Sequence, residues 1–158
     1  MSYYFNFNFN FILYIFILLL PLLLGTVTSL FICKVKSTSG ENVKIRPPSV
    51  VFSVVWPILY ILLGLSWNVA RKYNNQMLAD VLYLLLNLLL CSWIYVYSCL
   101  DKKKESVYVI VGCFTLALVC FSLGNYISKM SISPLIGWLF LATLLNVLEV
   151  EKINNTDV

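Results

Sequence analysis

The side chains in this sequence with the most capacity for chemistry are aromatic. Four tryptophans, Trp56, Trp67, Trp93 and Trp138, stand inside long apolar runs, together with Asn68, Asn87, Asn125 and Asn146. A tryptophan offers a large polarizable face and one N–H donor, so several together can stack on a flat ligand such as a tetrapyrrole or a sterol ring system. The competing use is anchoring at a membrane interface, which suits Trp67 best, just before Arg71. Trp56 and Trp138 lie several residues into their runs and suit a pocket wall as well as an anchor. An amide inside such a run has to find a hydrogen-bond partner, so Asn146 is expected to face other helices rather than lipid.

Titratable chemistry is scarce. The chain has no histidine to act as a base, and Glu149 is the acidic group singled out at the end of a run. Ser66, Ser92, Ser122 and Thr143 have no evident activating partner, and hydroxyls in apolar helices more often bond to backbone or to neighbouring helices. Five cysteines, Cys33, Cys91, Cys99, Cys113 and Cys120, form no CxxC pair and read as small packing residues. Zinc, iron–sulfur and c-type haem sites therefore lack their ligand spacing. A conventional hydrolase, protease, metalloenzyme or ion pump is not expected, and no metal or cofactor is required.

The elements that must position these residues are membrane helices. The 158 residues, which suggest one domain, are 61% hydrophobic and 11% charged. A soluble domain averages about 45–50% apolar and about 25% charged residues. A small soluble fold could not hide so much apolar surface, whereas lipid solvates it. Five runs have the length of a spanning helix, at about 9–33, 50–70, 78–100, 107–127 and 134–150. The fold class expected is an all-α bundle of five transmembrane helices. No basic segment precedes the first run and no small-residue cleavage site follows it, so it reads as a retained helix with Pro21 inside. The longest loop, Lys34 to Pro48, ends in the pair Pro47-Pro48; Ser128 to Ser133 reads as a short turn, and the tail after Val150 as frayed.

The net charge of +4 lies in the gaps between runs, with no basic patch interleaved with exposed aromatics, so nucleic acid is not an expected partner. With five spans, one side carries Lys34, Lys36, Lys44, Arg46, Lys102, Lys103, Lys104 and Lys152, and the other Arg71, Lys72 and Lys129. Eight against three places the long loop and the C-terminus in the cytosol. Lys102 to Lys104 could also meet anionic lipid heads.

The segment from Pro47-Pro48 through Val51, Phe52, Val55, Trp56, Leu59 and Tyr60, with Gly64 after it, resembles the start of the second helix of the translocator protein or tryptophan-rich sensory protein (TspO/MBR) family. In the last run Pro134, Trp138, Ala142, Thr143, Leu145 and Asn146 match the family's P-x-x-x-W-x-x-x-A-T-x-L-N pattern, and Pro21 with Gly25 fits the P-x-x-x-G of its first helix. Departures occur at Val50 and Val54, where the family often has tryptophan and proline. Trp93 matches a tryptophan of the third helix only if Asn87 is out of register with the family asparagine. The resemblance implies a five-helix bundle, often a homodimer, binding porphyrin, haem or a related flat ligand as a sensor or transporter. It implies a ligand site at Trp56, Trp93, Trp138, Ala142, Leu145 and Asn146, under a loop shaped by Pro47 and Pro48. Trp56 and Trp138 match residues implicated in light-dependent porphyrin breakdown in bacterial members, which keeps an enzymatic alternative open beside a ligand-free structural subunit. The family's proposed sterol motif needs a tyrosine and then a basic residue after Leu145-Asn146, where this chain has Val147 and Glu151. A eukaryotic member would sit in the mitochondrial outer membrane or the reticulum, and a bacterial one in the cell envelope.

Overall fold

A chain in lipid must satisfy every backbone N–H and C=O internally, and a continuous helix does so segment by segment. The computed structural model describes residues 2–32, 46–73 and 75–156, with side chains over 10–32, 46–73 and 75–152. Its helices are α1 (Ser2–Val27), α2 (Ser49–Tyr73), α3 (Gln76–Ile94), α4 (Lys103–Leu123) and α5 (Tyr126–Thr156). α1 runs on into a single π turn at Thr28–Ile32, and α3 into another at Tyr95–Cys99. Among the described residues five segments of 21 to 27 residues are long and apolar enough to cross a membrane. The expected five-span all-α bundle is therefore what the chain forms.

Two boundaries differ from the sequence reading. Ser128 to Ser133 is helix, not turn, and α5 continues past Val150 to Thr156. The break falls earlier, at Gly124, whose extended backbone ends α4 while its N–H reaches the carbonyls of Cys120 and Phe121. Asn125 then caps α5, its side-chain oxygen accepting from the Ser128 N–H at 2.9 Å. Polar residues misled the reading because their hydroxyls bond within the helix: Ser131 donates to the Ile127 carbonyl at 2.9 Å.

The packing partners define a closed ring. α1 packs on α2, α2 on α5, α5 on α4, α4 on α3 and α3 on α1, while α2 also touches α3 across the middle. Large apolar side chains such as Phe16, Leu23, Val81, Leu118 and Phe140 face outward, which suits a lipid solvent. The core holds Leu63, Leu86, Leu90, Ile110, Leu135 and Leu139, all fully buried.

Two glycines set the closest approaches. A Cβ at Gly64 would land on the main chain of α1 at Leu18, and one at Gly25 would land on the ring of Tyr60. α1 and α2 thus meet backbone to backbone at Gly64. The Asn68 amide bridges the same seam, donating at 3.1 Å to the carbonyls of both Tyr14 and Gly64.

Candidate functional site

Helical spacing brings the aromatic residues to one place. Phe52, Trp56 and Tyr60 are four residues apart on α2, so they share a face. That face meets Trp93 of α3 and Trp138 of α5. Trp56 is the hub: its ring centroid lies 5.5 Å from Tyr60, 5.7 Å from Trp93 and 6.4 Å from Trp138, the last edge-on at 89°. Phe52 meets Trp138 edge-on at 5.4 Å, and Tyr97 stacks on Trp93 at 5.7 Å. These are favoured aromatic geometries, worth roughly 0.5–1.5 kcal/mol per pair beyond burial.

Three polar atoms in this cluster are buried with no hydrogen-bond partner among the described residues: Trp93 Nε1, Trp138 Nε1 and the Tyr60 hydroxyl. An unmade bond of this kind costs about 1–3 kcal/mol and calls for an explanation. Inserting a flat molecule between two rings takes about 7 Å, twice a carbon–carbon contact distance. The observed spacings are shorter, so the rings are closed on one another, and an occupant would part them.

Below Trp138 on α5 follow Ala142, Leu145 and Asn146, all buried. Asn146 faces α4: its oxygen accepts from Ser106 Oγ at 3.1 Å and its amide donates to the Ala142 carbonyl at 2.8 Å. It pins α5 to α4 beside the cluster. Pro47 is half-buried and Pro48 exposed at the entrance to α2, where the Pro48 carbonyl accepts from the Val51 N–H at 2.9 Å. Residues 33–45 of the loop expected to cover the pocket, with Lys34, Lys36 and Lys44, lie outside the described residues.

The mouth of the cluster is polar, which the sequence did not foretell. Tyr97, on the π turn, donates its hydroxyl to Glu149 Oε2 at 2.7 Å and accepts from Arg46 Nη1 at 3.2 Å. Such turns are frequent at functional sites. Lys103 Nζ donates to the Tyr97 carbonyl at 2.9 Å and sits 3.6 Å from the ring centroid. Asp101 turns the chain here in a left-handed conformation, with φ of 53°, which aspartate tolerates better than most residues. Arg46, Lys103 and Glu149 therefore lie at one end of the bundle, as the counting of spans required.

A second polar cluster closes the other end. Ser66 Oγ, Tyr83 OH and Ser128 Oγ lie within 2.7–3.0 Å of one another. Beside them Trp67 Nε1 donates to Asp80 Oδ1 at 2.7 Å, and Arg71 Nε lies 2.8 Å from the same oxygen, a close ion pair rather than a directed bond. Trp67 is buried and stacks on Tyr83 at 6.1 Å, so it is no interfacial anchor. Asp80 stands two residues into the third apolar run, an intramembrane acid visible in the sequence along with Glu149. Cys99 is disulfide-bonded, so the expectation of five packing thiols fails there, while Cys91, Cys113 and Cys120 are free.

The cluster offers stacking faces and unspent N–H donors. Among the described residues no group of three His, Cys, Asp or Glu side chains could hold a metal. Proline-flanked tryptophans on the second and fifth helices, meeting inside a ring of five, reproduce the pattern that the sequence resembled. The sequence profile of the TspO/MBR family matches residues 16–148. The chain belongs to the TspO/MBR family. No curated protein matches it. As a TspO/MBR protein with five apolar helices it is an integral, multi-pass membrane protein.

Proposed function

We propose that the chain binds a tetrapyrrole, porphyrin or haem, between Trp56, Trp93 and Trp138, and acts as a sensor or transporter-like carrier. Membership of the TspO/MBR family supports, in general terms, a membrane protein that binds tetrapyrroles or sterols. The observation that carries the finer reading is the trio of buried, unpartnered donors, Trp93 Nε1, Trp138 Nε1 and Tyr60 OH, set among stacking faces. A tetrapyrrole fits both features, with a broad π-face and acceptor atoms. A sterol offers neither a π-face nor more than one polar group. Ala142, buried one turn from Trp138, supports the same place, because a larger side chain there would crowd that tryptophan.

Saturable quenching of tryptophan fluorescence by protoporphyrin tests this. Ala142→Leu is expected to weaken binding roughly ten-fold through overpacking. Trp138→Phe is expected to weaken it roughly five-fold by removing one donor and part of a face. Unchanged affinity in both variants would sink this pocket, and no porphyrin or sterol binding in detergent or lipid would favour a ligand-free structural subunit.

The central position of Trp56 favours a second reading, light-dependent porphyrin degradation. If Trp56 takes part, the porphyrin absorbance of the illuminated complex decays several-fold more slowly in Trp56→Phe. Equal decay in both proteins makes the chain a binder only. A homodimer and a cytosolic mouth belong to the same proposal. The lysines at 102–104 support that sidedness.

A further inference from the structure

Three charged side chains converge on one phenol at the rim of the aromatic cluster. Glu149 is 8% exposed, and its Oε2 takes the Tyr97 hydroxyl at 2.7 Å. Arg46 donates to that same hydroxyl at 3.2 Å, and its guanidinium carbon lies 5.0 Å over the Phe52 ring. Lys103 holds the Tyr97 carbonyl and covers the Tyr97 ring, with Asp101 Oδ1 at 3.0 Å. Phe52 and Tyr97 are also the outermost rings of the cluster, in contact with Trp138 and Trp93. The charged rim and the stacking faces are thus one continuous surface.

The pairing at this rim is indirect. A buried carboxylate is costly unless a cation and hydrogen bonds compensate it. Here its hydrogen-bond partner among the described residues is a phenol, and Arg46 reaches it through that phenol. A latch built only for stability would be better served by a direct arginine–carboxylate fork, which is both stronger and geometrically specific. What the arrangement leaves is a guanidinium held beside flat aromatic walls, balanced at one remove by an internal acid. Lys102, Lys103 and Lys104 line an open depression of about 310 Å³ together with Asp101, Glu105 and Val150, so three cations outnumber two acids where an anion would approach.

We propose that Arg46 and Lys103 recognise a carboxylate on the edge of a planar aromatic ligand, and that Glu149 stands in for that carboxylate when no ligand is bound. The inference rests on the aromatic cluster being the ligand site. It narrows the ligand class: a flat molecule with acidic side arms satisfies faces and rim together, and a neutral sterol satisfies neither. Arg46 becomes a specificity-determining residue. Glu149 becomes an internal competitor, and Tyr97 couples the two events because its ring stacks on Trp93.

The test uses the full chain in a non-ionic detergent and follows tryptophan quenching by protoporphyrin and by its dimethyl ester, whose carboxylates are masked. The wild type is expected to bind the acid roughly ten-fold more tightly than the ester, as a charge-assisted hydrogen bond implies. Arg46→Gln should remove most of that preference, weakening the acid while leaving the ester within about two-fold. Lys103→Gln should reduce it less, which gives a second reading should Arg46→Gln fold poorly. Glu149→Gln should tighten the acid several-fold and leave the ester unchanged. An acid-to-ester ratio untouched by both cation variants overturns the proposal, as does equal weakening of both ligands, which marks a structural latch. Quenching by neither compound overturns the pocket itself, and is thereby distinct from quenching by both alike.

Discussion

Replacing Gly64 by alanine is expected to lower the stability of the bundle by about 2 kcal/mol, although alanine is the better helix former by about 1 kcal/mol. The added methyl would sit 2.8 Å from the carbonyl carbon of Leu18 and closer still to its oxygen. Those atoms are backbone, held in α1 by its own hydrogen bonds, and cannot rotate away as a side chain can. Overpacking typically costs about 1–3 kcal/mol and occasionally more, and a collision with main chain belongs at the upper end or beyond it. The two helices have to separate, which also breaks the Asn68 bridge to Tyr14. Gly112 and Gly137 provide the internal control, because a Cβ there meets nothing within 4 Å. Alanine at either is expected to leave stability unchanged or slightly higher. Gly25→Ala falls between, since it meets the Tyr60 ring, a side chain. Unfolding of the four variants in mixed micelles ranks them, and a Gly64→Ala protein as stable as Gly112→Ala would show that the backbone contact does not hold α1 to α2.

The other large effect lies at the far end of the bundle. Asp80→Ala is expected to cost about 2–3 kcal/mol, because it strands the Trp67 donor and removes the Arg71 counter-ion at once. The Trp67 N–H loses its acceptor inside a residue only 4% exposed, and Arg71, whose side chain is 15% exposed, loses its counter-ion. The Asp80 side chain is itself 36% exposed, so water can repay part of the loss, and the estimate stays below that for a fully buried pair. Asp80→Asn keeps an acceptor for Trp67 and should cost about half as much. Adding Trp67→Phe to Asp80→Ala removes the stranded N–H, so the double variant should lose less than the sum of the two single changes. Strict additivity would show that the bond contributes nothing of its own. Porphyrin affinity should be unaffected throughout, because this cluster and the Ser66–Tyr83–Ser128 hydroxyls close the end opposite the mouth. A loss of binding with full stability would place the ligand at this end of the bundle instead of at the aromatic cluster.

The contrast between the two ends shows how differently they could be read from sequence. At the mouth, Trp56, Trp138 and Ala142 were legible through proline and tryptophan spacing on single helices. Arg46, Tyr97 and Lys103 were not, because a loop, a π turn and the start of α4 supply them and no local pattern links positions 51 and 6 residues apart. Glu149 was noticed as an acid at the end of a run, but its partner was out of reach for the same reason. At the far end Trp67 was assigned to the interface because it precedes Arg71. In the fold its ring turns inward, and its N–H finds Asp80 on the next helix.

What the sequence determined by itself was that the chain is built for lipid, the number of spans and the family. Each depends on local properties: twenty or so apolar residues must be continuous to cross lipid, and a motif on one helix keeps its spacing whatever surrounds it. What only the tertiary structure decided was which side of each helix faces inward. Hydropathy cannot show this in a membrane protein, because lipid-facing and core-facing surfaces are both apolar. Helix rotation is set by close contacts such as Gly64 on Leu18 and by buried polar pairs such as Ser106 with Asn146. Those contacts join residues far apart in the chain, and they are what turn separate tryptophans into one cluster with a charged rim.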